Sequence, residues 1–471
     1  MFPTSSRLAV LLACLLPLVV ACGDDDAGDG GPDVDETADD AGRDDGAGDD
    51  NGSDENGDVP ETVDVHEVDL DADAADADAD GDAGDADGDD GDVPPTGDEE
   101  WLWRALRGEV TPEEALLAVA RSNGWPIRTA DGYLFALLDD GAGPYQLTGD
   151  PTAWTGIDMT LDHGLWWVRS VVPDPIDSLY KFVSGGGTVY RADPYARRYG
   201  YDTNGEFSLV EAAAPHLERW PEVTDGVVLP RTVRAWVPAG TVRRHLYVHD
   251  GQNLFDPSAP WGGWHLQDVL GPETLAVGID NTSARMDEYT PVPDDIDGSG
   301  VVGGQGDAYA DFVEETVRPL IEAQYGTPER VGVMGSSLGG LIAFHEALRF
   351  PGAYDFAASL SGTFGWGSIG LHNETLIERL AAAGHGTTVL YLDSGGGAGS
   401  GCIDSDGDGI QDDTPDAEDN FCETRQLADT LASVGYVYDV DLHHWFEPGA
   451  EHDEAAWAAR VFRPVDIFES L

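Results

Sequence analysis

The sequence predicts an α/β protein: a mainly parallel sheet with helices on both faces, preceded by a small β-sandwich. Three observations predict it. From about Val227, short apolar β-branched runs alternate with helical stretches, the pattern of a sheet buried on both faces. Between Gly132 and Val210, short alternating runs are separated by Gly, Pro and Asp, the spacing of a sandwich. Before both lies a segment of Asp, Gly and Ala that cannot bury a core.

In chain order, residues 1–21 read as a secretion signal. Arg7 supplies the positive end, and Leu8 to Val20 is an apolar run too short to be a good membrane span. The run ends Leu18-Val19-Val20-Ala21-Cys22-Gly23, which resembles a bacterial lipobox. That resemblance implies that Cys22 is lipidated, and that the protein is exported and anchored in the cell envelope, at the outer membrane or cell surface. Residues 22–98 form the expected tether. Residues 23–100 hold 34 acidic side chains and one basic one, Arg43. Such a segment repels itself and extends. The rest of the chain carries about half of the net charge of -67, so the folded part is acidic too. Nucleic acid is excluded as a partner, because its phosphates would be repelled.

Residues 99–215 hold a helical stretch, Trp101 to Ser122, and then the sandwich. Thr111-Pro112-Glu113-Glu114 is a helix start. Strands are expected at Tyr133–Leu138, Leu165–Arg169 and Ser178–Val183. Leu147-Thr148-Gly149-Asp150 with Trp154, then Tyr180-Lys181-Phe182 and Asp193-Pro194, resembles the early-set immunoglobulin-like domain that precedes the catalytic domain of enterochelin esterases. Trp154, Trp166 and Trp167 read as sandwich core, with a carbohydrate platform as the alternative.

Residues 216–471 carry the chemistry. Strands are expected at Val233–Val237, His245–His249, Leu275–Ile279, Arg330–Met334 and Thr388–Leu392, with helices at Tyr309–Tyr325 and Leu338–Arg349. Gly335-Ser336-Ser337-Leu338-Gly339 is a G-x-S-x-G motif between a β-branched strand and a small-residue helix start. Such an elbow holds Ser337 in a strained turn where side chains two residues away on either side would collide. It also places a developing oxyanion at the positive end of a helix dipole. A serine hydroxyl needs a base. His452 lies in Pro448-Gly449-Ala450-Glu451-His452-Asp453-Glu454, a loop between the last strand and a helix, where this fold presents it. His345 falls on the helix after the elbow, and His443 and His444 precede Trp445-Phe446 in the last strand.

Several separate stretches then resemble, in order, the putative-esterase family of enterochelin esterases, esterase D, feruloyl and acetylxylan esterases and mycolyltransferases. They are His245 to Phe255, Val277 to Asn281, Arg285 with Glu288 to Pro291, Gly335 to Gly340, and Gly449 to Glu454. The resemblance implies an α/β-hydrolase fold and cleavage of carboxylic esters through an acyl-enzyme. The substrate class would be a small-molecule or carbohydrate-linked ester of siderophore, feruloyl or acetyl-sugar type, and no cofactor is implied for catalysis. It also implies an oxyanion hole from the amides of Leu338 and Gln252. Asp250 precedes the serine in the chain and is assigned to loop structure. Two other readings stand beside this one: an acyltransferase of the same fold, and a non-catalytic surface-binding lipoprotein.

The triad acid is the weakest part of the pattern. Beyond the strand ending Leu392-Asp393-Ser394-Gly395 the sequence departs from the family and enters an insertion, residues 396–422. Asp419 is preferred because it directly precedes a helix beginning at Glu423; Asp393 is the alternative. Within the insertion, Asp404-Ser405-Asp406-Gly407-Asp408-Gly409-Ile410-Gln411-Asp412 has the D-x-D-x-D-G pattern of a calcium loop. Asp404, Asp406, Asp408 and Asp412, with the Ile410 carbonyl, are the expected ligands of a structural calcium ion, and Asp413 or Asp416 would complete the shell. Pro415 stands where an EF-hand has its bidentate Glu, so the loop looks more like a thrombospondin type 3 repeat. Cys402 and Cys422 bracket this loop and are expected to form a disulfide in an oxidising compartment.

Overall fold

A computed structural model describes residues 97–397, 401–412 and 419–471. The secretion signal, Cys22 and the acidic tether lie outside the described residues, as do Asp413 and Asp416. Eight strands form the sheet of the second half: β1 (His216–Val223), β2 (Arg231–Val237), β3 (Arg244–His249), β4 (Thr274–Ile279), β5 (Arg330–Ser336), β6 (Phe356–Leu360), β7 (Val389–Ser394) and β8 (Leu442–Phe446). Their order across the sheet is β8-β7-β6-β5-β3-β4-β2-β1. All neighbours from β4 to β8 run parallel, while β2 is antiparallel to both β4 and β1. This part of the sheet is thus mainly parallel, as the sequence predicts, within a larger mixed sheet.

Burial explains why the strands read as continuous apolar runs. Every residue of β4 and β6 is buried. Successive side chains alternate between two cores. Tyr247, Val277 and Val333 face one, with Leu341 and Phe344 of the helix Leu338–Arg349. Leu246, Val248, Ala276 and Met334 face the other, with Trp457, Val465 and Phe468. Each fully buried aliphatic or aromatic side chain contributes roughly 1.5–3 kcal/mol.

The ladder does not stop at β1. Leu217 and Glu218 pair with Tyr199 and Arg198, and the sheet continues through Gly205–Leu209, Leu179–Ser184 and Gln146–Gly149 to Ile157–Asp158. A second sheet, Ile127–Thr129, Gly132–Leu138, Leu165–Ser170 and Thr160–Asp162, closes over this extension around Phe135, Leu147, Tyr180 and Phe182. The two halves of the chain therefore share one fourteen-stranded sheet. Trp166 packs into this two-layer core, and Trp167 meets Trp103 edge to face at 5.5 Å, whereas Trp154 is half exposed.

Of two expected long helices, one is broken and the other is continuous with a π-helical turn inside it. Trp101 to Ser122 divides into Asp98–Leu106 and Pro112–Arg121. Gly108, at φ 70°, turns the chain between them, and Thr111 with Glu114 caps the second helix reciprocally. The expected helix Tyr309–Tyr325 is Gly306–Phe312, a π-helical turn Val313–Val317, and Arg318–Tyr325. No helix among the described residues is long and apolar enough to cross a membrane.

Candidate active site

Ser337 stands between β5 and the helix Leu338–Arg349 at φ 55° and ψ -125°, a conformation that L-residues adopt only under constraint. The constraint is close packing. A Cβ on Gly335 would lie 2.4 Å from the Gly339 backbone, and one on Gly340 would strike the Ser359 side chain. Only glycine lets strand and helix approach this closely. The Ser337 amide is fixed by a 2.9 Å bond to the Leu360 carbonyl. Ser337 itself is 5% exposed.

After β7 and β8 the chain brings together a histidine and a carboxylate. His452 Nδ1 is 2.7 Å from Asp419 Oδ1. Asp419 is 1% exposed, and His452 packs edge to face on Trp457 with ring centroids 5.0 Å apart. The second carboxylate oxygen, Oδ2, accepts from the Gly395 amide, from Ser361 Oγ at 2.7 Å and from Arg460 Nη2 at 3.3 Å. Ser337 Oγ lies 3.5 Å from Thr363 Oγ1, which in turn accepts from Asn420 Nδ2 at 3.2 Å. The structure thus joins Ser337, Thr363, Asn420, Asp419 and His452 in one connected cluster.

Asp393, the alternative acid, is fully buried at the end of β7. Its carboxylate is occupied by Arg460 Nε at 3.0 Å and by the Tyr391 hydroxyl at 2.8 Å. Burial pushes its carboxyl up to about 6, against the lowering pull of Arg460. Among the described residues, the carboxylate bonded to His452 is that of Asp419.

The loop that carries Asp250 and Gln252 follows β3. Asp250 is left-handed, at φ 60°, and its carboxylate is gripped by Arg285 at 2.9 Å through two nitrogens and by Asn281 Nδ2 at 2.6 Å. Burial alone would raise the Asp250 carboxyl, but Arg285 outweighs it and holds the group below the usual carboxylate range. This is the loop-structuring role expected of Asp250. Gly251 sits against the backbone of Gly278, so the short turn Gly251–Asn253 is pressed onto β4. Gln252 Oε1 accepts from the Asn281 amide at 3.0 Å. Among the described residues, neither the Gln252 nor the Leu338 amide donates to a backbone carbonyl outside its own turn or helix. Asn253 Nδ2 donates to Glu454 Oε1 at 3.0 Å, tying this loop to the loop that carries His452.

The other histidines are placed elsewhere. His345 bonds Asp307 at 2.8 Å, and burial lowers the pKa of both His443 and His444 in β8. Cys402 and Cys422 are joined in a disulfide. Inside the loop that they close, Asp404 accepts from the amides of Gly407, Asp408 and Gly409, and Asp412 accepts from Ser405. Ile410 is buried against the core. Asp406 and Asp408 instead lie with His372, their ligand atoms within 4.8 Å of one another.

Sequence reasoning missed Ser361, Trp457 and Arg460, which together enclose Asp419. Ser361 follows β6 at φ 51°, and its hydroxyl accepts from Trp457 Nε1 and Arg460 Nη2 while donating to Asp419. The available signal was the spacing of Trp457 and Arg460 after His452, which sets both on one side of the turn leaving that loop.

A family model described as "Putative esterase" matches residues 222–465. Among curated proteins, "Uncharacterized protein YbbA" of Bacillus subtilis (strain 168) is 30% identical over 212 residues, which are 44% of this chain and 78% of that protein. "Siderophore triacetylfusarinine C esterase" of Aspergillus fumigatus is 32% identical over 73 residues, 15% of this chain and 25% of that protein. Among solved structures, an IroE-like serine hydrolase from Shewanella oneidensis is 18% identical with a TM-score of 0.41, covering 54% of this chain and 80% of its own. The enterobactin esterase FES from Shigella flexneri is 15% identical with a TM-score of 0.40, covering 73% and 96%.

Proposed function

The chain belongs to the "Putative esterase" family, and from that premise we propose that it hydrolyses carboxylic esters through a serine acyl-enzyme. One observation carries the reading: His452 is bonded at 2.7 Å to a buried carboxylate, in the same cluster as a serine held at a left-handed elbow. His452 takes the Ser337 proton as Oγ attacks the ester carbonyl. Asp419 holds the imidazole tautomer and stabilises its cation. Amides of Leu338 and Gln252 receive the oxyanion, helped by the N-terminus of the twelve-residue helix Leu338–Arg349. His452 then protonates the leaving alcohol, and water repeats the sequence on the acyl-enzyme.

The test is labelling by a fluorophosphonate together with turnover of p-nitrophenyl esters. Both are expected in the native protein and lost in Ser337→Ala. A native protein that neither labels nor turns over is the non-catalytic surface protein, and the reading fails. Partition of the acyl group between water and an added alcohol separates hydrolysis from transfer. The substrate proposed is a small-molecule or carbohydrate-linked ester of siderophore, feruloyl or acetyl-sugar type, to be resolved by a panel of those esters.

Two further parts of the proposal concern residues away from the chemistry. Cys22 is proposed to carry a lipid that holds the protein in the cell envelope, and mass spectrometry of the mature N-terminus tests it. The loop Asp404 to Asp412 is proposed to take a structural calcium ion. Its oxygen-rich donor set suits a hard cation, and Asp406 and Asp408 already lie close together. Asp404 and Asp412 would have to release the amides they now accept from. Calorimetry with calcium is expected to show binding, and a null titration removes the ion from the proposal.

A further inference from the structure

We infer that Arg460, anchored by Asp393, is a positioning residue for the triad acid: it fixes Asp419 so that one oxygen faces His452. The inference rests on the proposed triad, and it concerns residues that the sequence pattern did not mark.

The geometry is that of a clamp. Arg460 is almost fully buried, in the turn between the helices Glu454–Ala458 and Phe462–Ser470. Its guanidinium spends every nitrogen on a partner. Nε donates to Asp393 Oδ1 at 3.0 Å, Nη1 to the Ala456 carbonyl at 3.1 Å, and Nη2 to Ser361 Oγ at 2.6 Å and Asp419 Oδ2 at 3.3 Å. Ser361 passes the contact on, donating to the same Asp419 oxygen at 2.7 Å. Asp419 Oδ2 is therefore saturated by donors, and Oδ1 is left to His452 at 2.7 Å. A carboxylate with both oxygens engaged cannot rotate away from the imidazole.

Charge requires the same arrangement. Asp393 and Asp419 are both buried, and the nearby charge of Asp419 disfavours ionisation of Asp393. One cation, Arg460, touches both carboxylates. The ionisable groups around the cluster are Tyr391 and Asp393 from β7, Asp419, His452 and Arg460, with Arg463 acting on Tyr391. Among these, Arg460 is the cation in contact with Asp419. Its removal leaves the imidazolium of His452 facing the Asp419 carboxylate without a competing cation, which favours the protonated imidazole and moves the loss of activity on acidification to higher pH. Arginine suits the task because its planar fork meets two carboxylates and a hydroxyl at once, which an ammonium cannot.

The experiment compares Arg460→Gln, Arg460→Lys and Asp393→Asn in the full chain. Melting by circular dichroism, fluorophosphonate labelling and the pH profile of kcat/KM on a p-nitrophenyl ester are read together. Arg460→Gln is expected to lose about 10²-fold in kcat and to shift the acid limb up by about one pH unit. Arg460→Lys, which keeps the charge and loses the fork, is expected to lose about tenfold in kcat with the acid limb in place. Asp393→Asn frees the anchor and is expected to lose about tenfold in kcat with KM unchanged. Should Arg460→Gln fail to fold, the other two variants decide. Native kcat and a native acid limb in every folded variant overturn the inference and leave Arg460 a structural ion-pair partner. A native protein that does not label or turn over overturns the hydrolase reading instead.

Discussion

Ser337 is held by its immediate neighbours in the chain, whereas Asp419 is held by residues 24 to 58 positions away. The serine's geometry is set by three glycines within three residues of it and by one backbone bond to β6. Asp419 lies inside the disulfide-closed insertion and meets Ser361, Gly395, His452 and Arg460, each from a different segment. One half of the site is thus fixed by backbone sterics, and the other by a buried network of charge and hydrogen bonds. Steric fixing tolerates no change at its glycines. Network fixing can be retuned one partner at a time.

The comparison can be broken from either end. Ser337→Ala removes the nucleophile and is expected to cost on the order of 10⁴-fold or more in kcat with the melting curve preserved; an undiminished rate in a folded variant sinks the assignment. Asp419→Asn leaves the elbow intact and is expected to cost roughly 10³–10⁴-fold, by disfavouring the correct tautomer of His452. Asp393→Asn, with its tenfold loss, is the contrast. A crippling Asp393→Asn with a mild Asp419→Asn would mean that the two carboxylates had exchanged roles.

Loosening the insertion sharpens the contrast. Cys402 and Cys422 are separated by 20 positions, so opening the disulfide in Cys402→Ser/Cys422→Ser should lower stability by about 3 kcal/mol on a chain-entropy basis. At temperatures where the variant stays folded, kcat should fall more than fluorophosphonate access to Ser337, because the acid half moves and the elbow does not. Equal losses in both would contradict a divided site.

The smallest effect concerns the strut between the halves. Glu454 is pushed up to about 7, first by burial and further by the nearby charge of Asp250. Its free value is about 4.3. The folded value is raised, so its stabilising contribution is complete below about pH 4.3 and is lost as pH rises through about 7. Glu454→Gln cannot ionise. Its melting temperature relative to the native protein should therefore rise by a few degrees between pH 4 and pH 8; a constant difference across that range refutes the assignment.

What the sequence disclosed follows the same division. The elbow and His452 were legible because glycines and a loop histidine at fixed places are local signals. Asp419 was marked by its place before a helix, with Asp393 as a rival, and its contact with His452 is visible only in three dimensions. Ser361 and Arg460 were not legible, since a serine after a strand and an arginine in a turn are ordinary until Asp419 is seen between them. The strand Phe356–Leu360 also escaped notice: two of its five residues are alanines, which carry little β propensity, and its burial depends on neighbours from elsewhere in the chain. Nor did local pattern foretell that β1 would continue into the preceding module, because pairing at a sheet edge leaves no periodic trace.

That continuation has a consequence for self-association. An open sheet ends in unpaired amides and carbonyls at each side, and each side can template a strand from another copy. Here the preceding module occupies the β1 side and carries the ladder out to Ile157–Asp158, a strand of two exposed residues, one of them charged. A template that short offers almost nothing to add to. The opposite side ends at β8, five residues long, where Arg463 lies 3.5 Å over the ring of Trp445. The module therefore acts as a stopper, leaving the catalytic sheet one side, rather than two, from which polymeric growth could start.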